Sequence, residues 1–407
     1  MRDPLTTRPA SANVPPGTPW EVFIAFLKLG LTSFGGPIAH LGYFHSEFVN
    51  RRRWLDDRRY ADLVALCQFL PGPTSSQVGM ALGLGRAGWR GMLAAWAGFT
   101  LPSAFILILF ALGVARYTSL VQSGWVHGLK VAAFAIVAHA VWGMSKTLCP
   151  DVSRKVLAAV ALGLALAIPG SAGQIAALIV AGLVGWWLPN SVSPAQAGGQ
   201  YAPLSPRVGL IAAMAFMVLL LGLPLWSAVD ASGAMSLVEA VYRAGALVFG
   251  GGHVVLPLLQ ASIVPNGFVS NDQFLAGYGA AQAVPGPLFT FAAYIGTVAS
   301  GPLTGWLGGL VLLIVIFIPA ALVLLAALPF WQKLNHRAGI RRALAGVNAG
   351  VVGILLAALY DPLWLTAMGD WRDVALAVAA FALLLHGRTP PVLVVLLAGI
   401  GGWILAV

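Results

Sequence analysis

The sequence predicts an all-α polytopic membrane protein: two inverted homologous repeats with broken or re-entrant helices, plus one central linking helix. Three observations carry this. Apolar runs of roughly 20 residues recur from Trp20 to Val407, the length a helix needs to cross a bilayer. Short motifs of the first half return in the same order in the second. The loop cations fall on loops that are not each other's counterparts.

Composition bounds the class. Hydrophobic residues make up 59%, charged residues 9%, and mean hydropathy is +0.86. A soluble domain carries about 25% charge, so this chain cannot clothe a water-facing surface. The runs do not alternate, which excludes transmembrane β-strands. The net charge of +10 is spread over short loops, where it orients a membrane protein. Nucleic-acid binding would need a folded basic patch instead. Cys67 and Cys149 are far apart and form no CxxC pair, so neither a disulfide framework nor a thiol metal site is expected. Residues 1–20 are polar and Pro-rich without an apolar core, and read as a disordered cytoplasmic tail rather than a signal peptide.

The repeat is explicit. KLGLTSFGGP at Lys28–Pro37 is answered by RAGALVFGGG at Arg243–Gly252, and QFLPGP at Gln68–Pro73 by QAVPGP at Gln282–Pro287. GWRG at Gly88–Gly91 returns as GWLG at Gly305–Gly308, and Leu101-Pro102 as Ile318-Pro319. The offset drifts only between 214 and 217, as a duplication leaves it. Repeat 1 occupies 21–190, with apolar segments at 21–49, 60–85, 88–115, 125–147, 155–169 and 172–189. Repeat 2 occupies 236–407, with segments at 236–265, 272–299, 302–331, 341–366, 371–386 and 390–406. Between them, 191–235 holds a Pro/Gly/Ser-rich linker and a further run at 207–229.

Segments one and two of each repeat are interrupted. Pro71-Gly72-Pro73 cannot continue a helix, and Gly35-Gly36-Pro37 marks a second break. Irregular backbone at membrane depth survives only inside protein or beside a cavity. If these segments are re-entrant, eighteen loop Lys/Arg fall inside, against Arg116 and Arg372 outside. If they span, the cluster RRRWLDDRR at 51–59 moves outside and the asymmetry weakens, so the re-entrant reading is favoured. Either way an odd number of crossings separates the repeats and inverts them. Inverted repeats with broken helices are typical of secondary transporters, whose sites lie near the midplane.

Three cations lie within apolar segments: Lys28, Lys130 and Arg243. Lys28 and Arg243 are repeat counterparts, each seven residues before a break glycine. Intramembrane cations mark functional sites by default. Inversion is expected to bring both toward one central site, where they would neutralise a dianion. Snorkelling, or pairing with Glu21 or Glu239, is the structural alternative. The expected site adds Gly35, Gly36, Gly250 and Gly251 at the breaks and the matched Gln68 and Gln282. Backbone amides of Thr74, Ser75 and Ser76, and of Leu288, Phe289 and Thr290, would open half-helices whose N-termini attract anions. His40 and His253 do not match each other and read as packing residues.

FGGP at Phe34–Pro37, QFLPGP at Gln68–Pro73 and the second PGP at Pro285–Pro287 resemble the signature motifs of the chromate ion transporter family, in its long-chain, two-domain form. The resemblance implies a bacterial or archaeal inner-membrane carrier that exports chromate and confers resistance. Phe249–Gly252 departs from it, reading FGGG. No catalytic residue, metal or cofactor is expected, and no GxxxxGK[ST] loop supplies an ATPase. A dianion leaving across 100 mV gains about 4.6 kcal/mol, over a thousandfold in concentration, so potential alone can drive export. The expected partners are a chromate- or sulfate-like oxyanion and the lipid bilayer, with a homodimer compatible and no nucleic acid. Transport of another oxyanion in either direction is the nearest alternative. A membrane-embedded chromate reductase is more distant, because no flavin or haem motif is present.

Overall fold

The computed structural model describes residues 17–116, 124–168, 170–188, 204–230, 232–249, 252–331, 337–386 and 389–405. Most of the expected tail, most of the linker, and Gly250 and Gly251 lie outside the described residues. Among those described, the chain is helical without strands. Five helices are long and apolar enough to cross a membrane.

Helix α1 (Pro19–Thr32) opens with Thr18 accepting the Glu21 amide at 3.1 Å and Pro19 at its first position. Its 14 residues rise about 21 Å, short of a crossing. It stops at the extended Ser33, and Gly35, at φ +98°, turns the chain into α2 (Gly36–Phe44). A wider helical turn continues α2 over His45–Arg51. The open end of this hairpin is pinned: Arg52 bonds Glu47 at 2.6 Å and lies 3.6 Å from Glu21. Phe26 of α1 stacks on Phe48 of the return leg at 4.8 Å.

The second hairpin follows the same plan. Helix α3 (Asp57–Phe69) is capped by Asp56 and ends at the Pro-Gly-Pro tip. The first leg of α4 (Thr74–Arg116) returns to Arg86, which meets Glu21 at 3.2 Å and whose carbonyl accepts the Gly17 amide. Both segments therefore start and finish at one face, as re-entrant hairpins. Although α4 is helical over 43 residues, it is not one crossing. Ala87 and Gly88 leave helical geometry, and Gly83 lies against Gly91. Eight residues of straight helix would hold them about 12 Å apart, so the chain folds back here and the leg from Gly88 is the first true span.

Helices α5 (Gly124–Leu148), α6 (Val152–Ala167), α7 (Ser171–Trp187) and α8 (Pro206–Ser227) follow. Repeat 2 then forms α9 (Ala234–Leu247), α10 (Val255–Ile263), α11 (Asn271–Ala283), α12 (Phe291–Val298), α13 (Gly305–Ala327), α14 (Ala338–Ala358), α15 (Trp371–Leu385) and α16 (Pro391–Leu405). Asp230, in the loop before α9, accepts the amides of Met235 and Ser232, which hold its carboxyl below the usual range. The ends of the second pair of hairpins meet where the Ser300 amide donates to Phe268 O at 2.8 Å. The Gly83–Gly91 approach recurs as Gly296 against Gly308.

Contacts between repeats report the inversion. Lys130, near the start of α5, pairs with Asp272, at the start of α11, at 2.6 Å; His127 bonds Asp373, at the start of α15, at 2.6 Å. These define one face. On the other, Trp331 Nε1, beyond the end of α13, donates to Asp62, near the start of α3, at 3.0 Å. That face also holds the Arg51–Arg59 segment and Arg86, the concentration of cations that the positive-inside rule associates with the cytoplasm. The repeats interlock through small residues: α5 packs on α16 where Gly128 meets Gly402, and α7 on α14 where Gly185 meets Gly346. Close backbone approach of this kind is how helices associate in lipid, where no hydrophobic effect drives them.

Candidate functional site

The four hairpin tips converge, and they are tied across the repeats. The Gly286 amide donates to Ser33 O at 2.9 Å, and the Gly72 amide to Val248 O at 2.7 Å. Ser33 and Val248 are repeat counterparts, as are Gly72 and Gly286. One bond is thus the image of the other about the pseudo-two-fold axis. Near that axis the counterparts Pro37 and Gly252 touch each other, with a Cβ at Gly252 placed 3.5 Å from Pro37. Ser103 Oγ donates to Pro285 O, and Gln77 Nε2 to Pro71 O at 2.8 Å and Ala320 O at 3.2 Å. Glycine is required at both Pro-Gly-Pro centres. Gly72 has φ +119° and Gly286 +92°, and each lies against a side chain of the other repeat, Ala320 and Ser103.

Around these tips polar groups are buried with spare capacity. Thr74, Ser75 and Ser76 open α4, and Gln77 is the first amide to find a carbonyl one turn back, on Pro73 at 3.0 Å. All three are buried. Ser75 Oγ meets His40 Nδ1 at 3.3 Å. Among the described residues, Ser33 Oγ, Ser76 Oγ, Gln77 Oε1 and Thr100 Oγ1 are buried without a hydrogen-bond partner. Groups of this kind are uncommon in folded interiors and are met by ordered water, an ion or a ligand.

In repeat 2 the counterpart opening is different. Leu288–Thr290 form a single tight turn before α12, and Thr290 Oγ1 caps its own turn by donating to Pro287 O at 2.8 Å. His253 Nδ1 meets the Tyr278 hydroxyl at 3.0 Å. Gln282 is half-buried and its side chain hydrogen-bonds the Tyr278 hydroxyl, whereas its counterpart Gln68 is exposed. Gly35 and Gly36 form the tip of the first hairpin, with open space where a Cβ would stand on Gly36.

The two matched cations are not equivalent. Lys28 is exposed, with no carboxylate at ion-pair distance among the described residues. Arg243 is half-buried, its Nη1 3.2 Å from Glu239 Oε1 and its Nη2 donating to Ser262 Oγ at 3.3 Å. Each stands five residues before the carbonyl that accepts the cross-repeat bond, Ser33 or Val248, about 7 Å along the helix axis. Because the repeats are inverted, Lys28 stands toward the cytoplasmic face and Arg243 toward the opposite one. Lys130, the third intramembrane cation, is consumed by Asp272. Sequence reasoning did not single out Gln77 or Ser103. Their signal is faint: each is one polar residue in an apolar run, significant only through a partner in the other repeat.

A family model described as chromate transporter matches the chain over residues 20–186 and again over 235–403. The chromate transport protein of Pseudomonas aeruginosa is 29% identical, over 98% of this chain and 95% of its own. The probable chromate transport protein of Synechococcus elongatus is 29% identical over 82% of each chain. The chromate transport protein of Cupriavidus metallidurans is 27% identical over 94% of this chain and 92% of its own. No solved structure gives a significant match.

Proposed function

This chain belongs to the chromate transporter family, and we propose that it is a secondary carrier that exports chromate across the cytoplasmic membrane on the membrane potential, and so confers resistance. The observation that carries the reading is the reciprocal pairing of the hairpin tips, Ser33 with Gly286 and Val248 with Gly72. It sets irregular backbone from both repeats at the centre of the fold, where inverted-repeat carriers bind their substrates. Beside it the first-turn amides of Thr74, Ser75 and Ser76 offer donors suited to oxyanion oxygens. Lys28 and Arg243 flank the tips from opposite faces and serve as successive cationic stations for a dianion on its way out. Gln68 stands on the approach, Gln282 and Thr290 beside the second tip, and the Gly35-Gly36 break gives the first hairpin its turn.

Purified protein in liposomes should move labelled chromate faster when a potassium–valinomycin clamp makes the chromate-loaded compartment negative. Sulfate and molybdate serve as competitors. Lys28→Ala and Arg243→Ala should each abolish the flux at unchanged expression. Undiminished flux in either variant removes that station, and indifference to the clamp replaces uniport with electroneutral exchange.

A further inference from the structure

Arg243 is not presented bare to an incoming anion. One helical turn before it on α9, Glu239 is 8% exposed and places Oε1 3.2 Å from Nη1. That oxygen is buried yet makes no aligned hydrogen bond, so the two charges touch without the fork geometry that makes such pairs strong. The guanidinium is held independently from its other side. Nη2 donates to Ser262 Oγ, which donates in turn to Leu258 O at 3.1 Å on α10, the return leg of the same hairpin. Removing the carboxylate would leave Arg243 in place.

We propose that Glu239 is the carrier's resident counter-ion: it neutralises Arg243 between transport events and yields it to the arriving oxyanion. The inference rests on the transport reading above. Its physical basis is the return step. A carrier that has released a dianion must reorient, and an uncompensated guanidinium in a low-dielectric interior makes that step costly. A paired guanidinium is neutral and passes. The contact is loose enough for a tetrahedral dianion, which can engage guanidinium nitrogens bidentately, to replace it. The device belongs to repeat 2 alone. The counterpart of Glu239 in repeat 1 is Ile24, and the counterpart of Ser262 is Glu47, already bound to Arg51 and Arg52.

The test is Glu239→Gln, which keeps the shape and removes the charge, in full-length protein in liposomes. Two fluxes are compared: net chromate efflux into chromate-free buffer, and exchange of labelled against unlabelled chromate, which bypasses the empty return. Net efflux should fall by about tenfold, as expected when a half-buried cation loses its partner, while exchange stays near the wild-type rate. Equal loss of both fluxes would make the pair merely structural, and no change in either would leave the carboxylate without a role. In detergent, sulfate should protect the variant against thermal unfolding at a lower half-saturating concentration than it does the wild type. Should Glu239→Gln not purify as a monodisperse species, Glu239→Asp is read in the same titration and should shift the same way. An unchanged or higher half-saturation overturns the proposal. Wild-type protein that carries no chromate in either mode would fail the transport reading itself.

Discussion

Gly72→Ala tests whether the tips are locked as the structure shows. Gly72 adopts φ +119°, a region nearly closed to side chains, and occupying it costs about 1–3 kcal/mol. The new Cβ would stand 2.8 Å from Ala320 Cβ and 3.3 Å from Ala320 Cα, on a helix of the other repeat that cannot swing aside. Wedging a methyl into such a seam costs about 1–3 kcal/mol more. Displacing the tip then strains the 2.7 Å bond from the Gly72 amide to Val248 O, worth about 0.5–1.5 kcal/mol. The sum is about 2.5–7.5 kcal/mol. Gly36→Ala is the matched control. Its φ is +76°, but nothing lies within 4 Å of the added carbon, so only backbone strain of about 1–2 kcal/mol applies. Thermal unfolding of the two purified variants should rank Gly72→Ala well below Gly36→Ala, with chromate flux lost in the former. Equal midpoints, or wild-type flux from Gly72→Ala, would mean that the tips are not packed across the repeats as described.

Three further outcomes follow from the architecture. Arg53→Cys should react with an impermeant maleimide only from the cytoplasmic face and Asn266→Cys only from the opposite face. The native Cys67 and Cys149 should stay silent, since both are buried and burial pushes the Cys149 thiol upward. Asp272→Asn should destabilise more than Lys130→Met, by roughly 1–2 kcal/mol after discounting for the exposed aspartate, because only the former strands a buried charge; equal losses would refute it. Ser103→Ala should cost about 0.5–1.5 kcal/mol by freeing Pro285 O, with no effect on the symmetric seam, where Ala320 already stands at the counterpart position.

The sequence announced the backbone of this site and concealed its side-chain partners, for one physical reason. Pro-Gly-Pro and Gly-Gly breaks state locally what the chain cannot do, and their repetition at a fixed offset locates all four tips without any knowledge of contacts. The loop cations likewise separate re-entrant from spanning segments, because bilayer energetics reads them one loop at a time. Partnership across repeats has no such local signature. Asp62 and Trp331 are 269 residues apart, Gln77 and Ala320 are 243 apart, and nothing near either residue names the other.

Repeat symmetry misleads most where it is trusted for side chains. Lys28 and Arg243 align, yet one is exposed and the other is held by Glu239 and Ser262. Gln68 and Gln282 align, yet the first is exposed and only the second hydrogen-bonds a buried tyrosine, Tyr278. On the transport reading proposed above, these differences have a physical use. Two halves alike in both backbone and charge would present the same barrier to an anion from either face. Duplication supplies a backbone that meets at the tips from both sides. The unequal cations, and the carboxylate beside one of them, would then make the two approaches energetically distinct.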